Sequence, residues 1–406
     1  MPDGRLFTAD APFLRDMASR FGTPLIMHDL ASVRERADRL KGLLPGDARL
    51  LYSLKANPLP PVVHALQQAG CGVEVSSLGE LGLVGPSSTM LFTGPGKSSA
   101  EIRAALGAGA LLSCESATEV ARVAAIAPAA EVVLRVQPGH STSAGLSMSD
   151  GRQFGFTEEE AVAICRDLPG ALRVGGLHCY VGSQLPDTAA LVTAFELVVR
   201  TVTGIADAAG LTLRVADLGG GFAWPYAAPG AGPDLADLPD RLAPIVAPLR
   251  ARGTEIWFES GRGLVAPSGR LLLRVLDVKV RSERTTVVVD AGVNVLGGMS
   301  GLGRVLRPAT VPRNLSTPDA DPMRVDIVGP LCTPLDRLAV QVEVPQPHVG
   351  DLLCVDNVGA YAASAALSGF LSRPPATELV VDGLDAIGCW RLRSGHEALD
   401  PPGGLV

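Results

Sequence analysis

The chain lacks the features that mark nucleic-acid-binding and membrane proteins. No Lys/Arg-rich run is present to neutralise phosphates, and the formal net charge is −7, so a nucleic-acid-binding surface is not expected. No stretch of about 18 uncharged apolar residues occurs, which argues against a membrane span. The first ten residues carry acidic side chains and no apolar core of a secretory signal. A small molecule is the expected partner.

Regularly spaced cysteines are also missing. The seven cysteines are scattered along the chain, odd in number and without Cys-x-x-Cys spacing. We therefore expect reduced thiols, a cytoplasmic location and no metal site.

The first two thirds of the sequence alternates short β-rich runs with helical stretches. A chain of 406 residues, 47% hydrophobic, is long enough for one large domain and a smaller one. The runs are Arg49–Leu54, Gly72–Val75, Met90–Thr93, Leu111–Ser113, Glu131–Val136, Val174–Tyr180, Thr212–Leu218 and Glu255–Phe258. Eight such units predict an α/β fold based on a closed, TIM-like (β/α)8 barrel. An open doubly wound sheet is the alternative, because periodicity does not show closure.

After Arg262 the pattern changes to strands without long helices between them. These are Leu271–Val280, Thr285–Asp290, Asp326–Val328, Ala339–Val344 and Leu352–Val355. They predict an antiparallel β domain. We assign residues 29–262 to the barrel, and residues 1–28 with 263–406 to a β-sandwich or β-barrel that the N-terminal segment completes. The region Leu296–Pro322, rich in Gly, Pro and Arg, is predicted to be a long loop.

Lys55 is an isolated charge at the end of a hydrophobic, β-like run. An ammonium in that position either reaches solvent along its own side chain or is held for chemistry. A desolvated lysine loses its proton readily and can condense with a carbonyl group.

Two further polar motifs follow predicted barrel strands, where the active sites of barrel enzymes form. Gly219, Gly220 and Gly221 come after the seventh strand, and consecutive glycines let backbone amides approach a phosphate. A flexible turn is the alternative for this motif. Glu259 and Arg262 come after the eighth strand, and a surface ion pair is their simplest alternative.

The segment Tyr-Ser-Leu-Lys-Ala-Asn, residues 52–57, resembles the Tyr-Ala-Val-Lys-Ala-Asn motif of the alanine racemase-like, fold-type III pyridoxal-phosphate-dependent decarboxylases. This is the family of ornithine, arginine and diaminopimelate decarboxylases. Five more motifs resemble the family's in the expected order, between about residues 20 and 390. The resemblance implies pyridoxal 5′-phosphate as cofactor. The implied cofactor-binding residues are Lys55, His178, Tyr180, Ser183, Gly219, Gly220, Gly221, Glu259, Gly261, Arg262 and Tyr361.

The resemblance also implies catalytic roles. Lys55 would hold the cofactor, and Glu259 would keep its ring nitrogen protonated so that the ring accepts electrons when a bond at Cα breaks. Cys332, in Gly-Pro-Leu-Cys-Thr-Pro-Leu-Asp, would return a proton to the carbon atom. Thr333 and Asp336 of the same segment are the expected substrate-binding residues. Because the Cys and Tyr motifs of the family act across a subunit boundary, a homodimer with shared active sites is implied.

Three departures from the family pattern concern the substrate. Tyr180 occupies the position of the usual stacking histidine, and His178 lies two residues before it with its role open. Thr333 replaces the acidic residue with which diamine-forming relatives hold a distal ammonium. A glycine-rich insert, Gly297–Gly303, displaces an Arg-Pro pair that normally binds a carboxylate. The pattern resembles a biosynthetic, secondary-metabolite branch of the family. We expect decarboxylation of an amino acid, free or attached to an acyl carrier protein, other than a typical basic diamino acid; racemisation is the alternative.

Overall fold

The computed structural model describes residues 7, 9–85, 89–139, 146–147, 153–297 and 309–393. These residues form two compact units. The first consists mainly of Leu30–Pro225 and Gly230–Ser268, and the second contains residues 9–29, Tyr226–Pro229 and the described residues from Gly269 onward. The first unit extends to Ser268, beyond the boundary expected at residue 262, because the segment after Arg262 packs against a helix of the same unit.

The described residues contain ten α-helices and nineteen strands. The helices are α1 (Ala11–Phe21), α2 (Leu30–Gly42), α3 (Pro60–Gln68), α4 (Leu78–Leu81), α5 (Ser99–Gly107), α6 (Ala117–Ile126), α7 (Glu158–Arg166), α8 (Thr188–Ala209), α9 (Leu238–Arg250) and α10 (Arg262–Val265). The strands are β1 (Leu25–Asp29), β2 (Arg49–Ser53), β3 (Gly72–Val75), β4 (Met90–Phe92), β5 (Leu111–Cys114), β6 (Glu131–Val136), β7 (Leu146–Ser147), β8 (Arg173–Cys179), β9 (Gly182–Ser183), β10 (Val215–Asp217), β11 (Glu255–Ser260), β12 (Gly269–Arg281), β13 (Arg284–Val289), β14 (Arg313–Asn314), β15 (Pro322–Val328), β16 (Arg337–Pro345), β17 (Leu352–Asp356), β18 (Thr377–Asp382) and β19 (Asp385–Trp390).

The first unit is a closed barrel of eight parallel strands, in the order β10-β11-β2-β3-β4-β5-β6-β8. This confirms the predicted barrel and decides against the open sheet. Each barrel strand overlaps one of the eight predicted runs. The strands are buried almost throughout, which explains their nearly continuous apolar sequences.

Two layers of inward-pointing side chains fill the upper part of the barrel. An apolar layer contains Leu51, Leu91, Val133, Val215 and Trp257. Four of these come from alternate strands, as in other barrels of this kind. Because successive side chains on a strand point to opposite faces, the residues two positions later share the interior. Those residues are polar: Ser53, Thr93, Arg135, Asp217 and Glu259. The carboxyl ends of the strands therefore surround a polar layer supported by an apolar one.

The helices of the first unit have well-defined ends. Ser98 and Glu101 form a reciprocal capping box at α5, and Thr157 and Glu160 form another at α7. α8 begins after Asp187, whose side chain accepts from an amide of the first turn, and ends at Gly210 with φ of 65°. By length and composition α8 is the one helix of the described ranges that could cross a membrane. It packs against α7, α9 and β8, and more than half of its most apolar stretch is buried. The membrane-like composition is that of a helix packed on a barrel.

The second unit is built on a nine-stranded sheet with the main order β16-β15-β13-β12-β1-β18-β19. β17 pairs with β12 and β14. Most pairings are antiparallel, whereas β1–β18 and β13–β15 are parallel. β1 lies between β12 and β18, so the N-terminal segment completes the sheet as predicted. Five of the strands correspond to the runs expected after Arg262, and β1, β14, β18 and β19 were missed.

Candidate active site

Lys55 lies at the mouth of the barrel in a 3-10 turn, Leu54–Ala56, directly after β2. The Tyr52 hydroxyl donates to the Asn57 carbonyl at 2.7 Å and stabilises this turn. The Lys55 Nζ atom lies 2.9 and 3.1 Å from the carboxylate oxygens of Glu74 on β3. About half of the lysine side chain is exposed, whereas the Glu74 side chain is 2% exposed. The ammonium therefore faces the mouth with a buried carboxylate behind it.

The hydrogen bonds to Glu74 determine its charge. Thr93 Oγ1 donates to the Glu74 carboxylate at 2.7 Å. Burial alone would raise the pKa of Glu74, but the Lys55 ammonium and hydrogen bonds from Ser53, Lys55 and Thr93 outweigh it and lower that pKa to about 2. Glu74 is therefore a carboxylate at neutral pH.

A second buried polar cluster consists of His178 on β8, Asp217 on β10 and Glu259 on β11. Each has one side-chain nitrogen or oxygen atom that could bind a metal ion, and these three atoms lie within 4.8 Å of one another. The His178 Nε2 and Glu259 Oε1 atoms are 3.5 Å apart, and the Ser113 hydroxyl lies 3.0 Å from His178 Nδ1. Asp217 Oδ1 accepts from the Gly219 amide at 2.9 Å. Within the described part of the chain, His178 Nε2, Asp217 Oδ2 and Glu259 Oε1 are buried without a hydrogen-bond partner.

Burial shifts the proton affinities of this cluster in the direction of neutral groups. It raises the pKa of Glu259 well above the usual value, and the negative charges of Glu74 and Asp217 add to the effect. Burial also raises the pKa of Asp217 to about 7. The pKa of His178 is lowered well below its usual value by burial first and by Arg135 second. This cluster therefore combines a neutral imidazole with two carboxyl groups that resist full ionisation.

Glycines bring the loops around this polar cluster into close contact. Gly219 and Gly221 have φ of 70° and 117°, a region that favours glycine. A Cβ atom at Gly220 would lie 2.4 Å from the Glu259 carbonyl oxygen, so no side chain fits there. At Gly261 a Cβ atom would lie 2.9 Å from that of Ala56, next to Lys55. The glycine run, the Glu259 segment and the lysine turn thus meet at one end of the barrel.

The remaining barrel residues expected at the site lie on the same end. Tyr180 follows the last residue of β8, and its ring borders Gly219 and Gly220. Ser183 lies on β9, which pairs with β7. Arg262 is half-buried and begins α10. The site residues that the sequence predicted within residues 29–262 therefore lie at or after the carboxyl ends of barrel strands, and their roles stay predictions.

The other predicted residues belong to the second unit. Cys332 is exposed in the loop between β15 and β16. Thr333 Oγ1 accepts from the Leu335 amide at 3.3 Å, so the threonine bonds to its own loop. Asp336 is buried, and its carboxylate oxygens accept from the amides of Val293 and Leu331 at 2.8 and 2.7 Å. This geometry holds two loops together and leaves the expected substrate contact of Asp336 unsupported.

Tyr361 lies in the loop after β17 with φ of 53°. Its carbonyl oxygen accepts from the Tyr226 hydroxyl at 3.0 Å. In the same loop, Asn357 donates through Nδ2 to the Ala228 carbonyl at 2.7 Å. These bonds define the backbone path of the Asp-Asn-Val-Gly-Ala-Tyr segment. Of the glycine-rich insert, only Gly297 lies in the described residues; 298–303 lie outside them.

Comparison with known proteins agrees with this geometry. Residues 30–266 match the family described as "Pyridoxal-dependent decarboxylase, pyridoxal binding domain". The chain is 33% identical to a diaminopimelate decarboxylase of Deinococcus radiodurans over 95% of this chain and 96% of that protein. It is 29% identical to an L-glutamyl-[BtrI acyl-carrier protein] decarboxylase of Niallia circulans, over 90% of each. The crystal structure of diaminopimelate decarboxylase from Helicobacter pylori, complexed with L-lysine, superposes with a TM-score of 0.80 and 26% identity. It covers 91% of this chain and 94% of that one.

The chain belongs to the pyridoxal-dependent decarboxylases. It is a pyridoxal-phosphate-dependent amino-acid decarboxylase, and pyridoxal 5′-phosphate is its cofactor. The residues of the barrel mouth fit this group: a lysine faces the opening, and a buried Glu259 presents an oxygen that lacks a partner in the described residues. The donor set of His178, Asp217 and Glu259 could also ligate a metal ion. The Glu259 segment resembles the family motif whose glutamate meets the ring nitrogen, which favours the cofactor for this set; this role and the absence of a metal site stay predictions.

Several polar residues of the site were missed by sequence reasoning. They are Glu74, Thr93, Ser113, Arg135 and Asp217, all at or near the carboxyl ends of barrel strands. A signal was present for Glu74, Arg135 and Asp217, since each is a charge within or at the end of an apolar strand, as Lys55 is. Their partners are on other strands, however, and the pairings depend on strand register.

Proposed function

We propose that this decarboxylase acts on an amino acid without a distal ammonium group, either free or attached to a carrier protein. The observation that supports this proposal is the composition of the loop of residues 329–336, which contains Cys332. A distal ammonium needs a carboxylate partner, because burying an unpaired charge is costly. Position 333, acidic in diamine-forming relatives, is a threonine whose hydroxyl bonds to its own loop.

The only acidic residue of this loop cannot replace the missing charge without rearrangement. Asp336 is 2% exposed, and its carboxylate oxygens accept from main-chain amides of two loops. A Cβ atom added at Gly292 or Gly329 would overlap the Asp336 carboxylate, so both loops are packed around it. Turning the carboxylate toward a substrate would leave buried amides without partners, which costs about 1–3 kcal/mol for each amide.

The relatives support the reaction more strongly than the choice of substrate. Diaminopimelate decarboxylases of 29–33% identity are the competing model for the substrate. The Niallia circulans protein, named for a carrier-linked glutamyl substrate, is 29% identical over a similar length. Sequence identity of 29–33% does not distinguish between diaminopimelate and a carrier-linked substrate. The proposal therefore depends on the composition of the loop of residues 329–336.

The residues of the chain would divide the reaction as follows. When bound, pyridoxal phosphate supplies an aromatic ring that accepts the electrons left at Cα when carbon dioxide departs. Lys55 would hold the cofactor and exchange with the substrate amine. Glu259 would place negative charge at the ring nitrogen, and the backbone of Gly219–Gly221 with Ser183 and Arg262 would bind the phosphate. Cys332 or Lys55 would deliver a proton to Cα.

A carbon dioxide release assay over free amino acids and aminoacyl carrier proteins tests the substrate proposal, with Lys55→Ala as the blank. We expect kcat/KM for diaminopimelate, lysine and ornithine to lie at least about 100-fold below that of the best substrate. Thr333→Glu should raise the relative kcat/KM for the diamino acids about tenfold or more by supplying the missing charge. Thr333→Gln is the matched control, because glutamine has nearly the same size as glutamate and no charge.

Efficient turnover of diaminopimelate by the unaltered enzyme would overturn the substrate proposal and leave the decarboxylase assignment intact. Equal gains from Thr333→Glu and Thr333→Gln would show that charge at this position is not the reason. Chiral analysis of the products tests the racemase alternative, which requires a retained carboxylate with inverted configuration at Cα.

We also propose a cytoplasmic, biosynthetic homodimer in which Cys332 and Tyr361 serve the partner's barrel. The support is the resemblance of these motifs to those of the family. Mixing Lys55→Ala with Cys332→Ala subunits tests the shared site, because a mixed dimer would contain one intact site. No recovery of activity on mixing would contradict it.

A further inference from the structure

The two carboxylate oxygens of Asp217 lie in different surroundings. Oδ1 accepts from the Gly219 amide at 2.9 Å. Oδ2 is buried, and no hydrogen-bond donor among the residues that the structure describes reaches it. One carboxylate oxygen of Asp217 lies within 4.8 Å of side-chain N or O atoms of His178 and Glu259, and the Glu259 side chain acts directly on the pKa of Asp217. Backbone hydrogen bonds prevent the two acidic residues from moving apart: the Leu218 amide donates to the Trp257 carbonyl at 2.9 Å, and the Glu259 amide donates to the Gly219 carbonyl at 2.8 Å. Asp217 and Glu259 are therefore held side by side.

The positive groups near this pair already have carboxylate partners. The charged and titratable groups that act on it are Glu74 from β3, Lys55 from the turn after β2, Arg135 from β6 and His178 from β8. Lys55 is bonded to Glu74, and Arg135 lies 3.3 Å from Glu115. His178 is a buried neutral imidazole. Two adjacent carboxylates without a cation of their own repel strongly in a buried site, so the pair retains a proton.

The charge of the bound cofactor and the hydrogen bonds of Asp217 together indicate where that proton resides in the loaded enzyme. Glu259 must carry negative charge to face a protonated ring nitrogen, and Asp217 Oδ1 is occupied by an amide donor. The remaining position is Asp217 Oδ2, which is buried and receives no bond from a donor of the described residues, while the side chains of Asp217 and Glu259 interact directly. We propose that Asp217 is a positioning residue that stays a neutral carboxylic acid in the loaded enzyme and donates a hydrogen bond from Oδ2 to the Glu259 carboxylate. It orients Glu259 and leaves a single negative charge at the ring nitrogen.

Two substitutions separate a neutral acid from a carboxylate at this position. Asp217→Asn keeps an acceptor for the Gly219 amide and supplies an N–H in place of the Oδ2 proton. Asp217→Leu has a similar size and makes neither bond. We expect the cofactor dissociation constant of the apoenzyme to rise about tenfold or more for Asp217→Leu, and the asparagine variant to recover most of that loss. Asp207→Asn, which removes an exposed partner of Arg252, is the charge-matched control.

Infrared spectroscopy of the loaded enzyme reads the proton directly and does not depend on the substrate. Near pH 6, where ordinary carboxyl groups are ionised and a carboxyl group with a pKa of about 7 is largely protonated, the enzyme should show a carboxylic-acid C=O band. This band should be missing from Asp217→Asn and present in Asp207→Asn. The proposal is overturned if the band survives Asp217→Asn, or if the asparagine variant binds the cofactor as poorly as the leucine variant. If the leucine variant does not fold, the infrared comparison still decides.

Discussion

Glu74 and Glu259 are buried to the same degree in the same barrel, yet their proton affinities shift in opposite directions. β3 and β11 carry them, and both strands are neighbours of β2, the strand that leads to Lys55. Glu74 bonds to the Lys55 ammonium and to Thr93, and its pKa falls to about 2. Burial raises the pKa of Glu259 well above its usual value. Depth of burial therefore does not determine the charge of a carboxyl group here; the identity of its partners does.

This difference assigns separate tasks to the two sides of β2. The Glu74 side has a permanent ion pair that holds the lysine at the mouth. The Glu259 side has unmade hydrogen bonds and a carboxylate that becomes fully stable only when a positive group is placed against it. The first side is complete without a ligand, and the second is completed by one.

Removing the lysine should have the largest effect. We expect Lys55→Ala to lower carbon dioxide release by several orders of magnitude and to abolish the absorbance of lysine-bound cofactor. Lys55 presents its amine at the barrel mouth, whereas the Lys97 amine is buried against Glu119 and two main-chain carbonyls. Lys41→Ala, on α2 of the same unit, is the control and should behave like the unaltered enzyme. Turnover within about tenfold of the unaltered enzyme would contradict the role of Lys55.

Neutralising Glu259, on the other side of β2, should have the next largest effect on the reaction. Glu259→Gln is expected to lower kcat by about 10²–10³ through loss of negative charge at the ring nitrogen, while the cofactor stays attached to Lys55. Steady-state kinetics with the absorbance of the bound cofactor measures both. The control is Glu255→Gln, an exposed position on the same strand that pairs with Arg49. Equal kcat values for the two variants would remove the distinction between Glu74 and Glu259.

The smallest expected effect, on stability, reports the opposite shifts directly. The folded-state pKa of Glu74 is lowered. Its contribution to the free energy of unfolding is therefore present above the ordinary carboxyl pKa and is lost as pH falls from about 4 to about 2. The folded-state pKa of Asp217, next to Glu259, is raised, so its contribution is fullest below about pH 4 and is lost as pH rises to about 7.

Unfolding of the apoenzyme by urea across this pH range measures both contributions. Glu74→Gln should flatten the acid limb of the stability profile, and Asp217→Asn should flatten the part between about pH 4 and 7. Profiles that change in the same window for both variants would contradict the comparison.

Sequence reasoning succeeded for the fold where the signal was local. The barrel strands are short apolar runs separated by helices, and their number favoured a closed barrel over the open sheet, which the strand pairing then confirmed. β1 was missed because its five residues pair with β12 and β18, which are distant in the sequence, and nothing local marks a strand. β18 and β19 form an antiparallel pair across Gly383, whose φ is 63°, and that turn was overlooked.

The candidate site divides in a similar way. Lys55, Glu259 and the glycine run were found because each belongs to a contiguous motif. The ion pair of Lys55 with Glu74, and the proximity of Asp217 to Glu259, depend on which residues of different strands lie at the same height. Asp336 illustrates the reverse case: the motif predicted a substrate ligand, whereas the fold engages its carboxylate with two main-chain amides, so the substrate contact stays a prediction.

The two layers inside the barrel have a consequence for how such an enzyme can change during evolution. Each polar residue of the upper layer stands two positions after an apolar residue of the layer below. A substitution at Ser53, Thr93 or Arg135 would alter the chemistry of the mouth without changing the volume of the supporting layer. The chemistry of the mouth can therefore change through replacements at strand ends, provided that the buried partners of these residues, such as Glu74 of Thr93 and Glu115 of Arg135, keep a hydrogen bond.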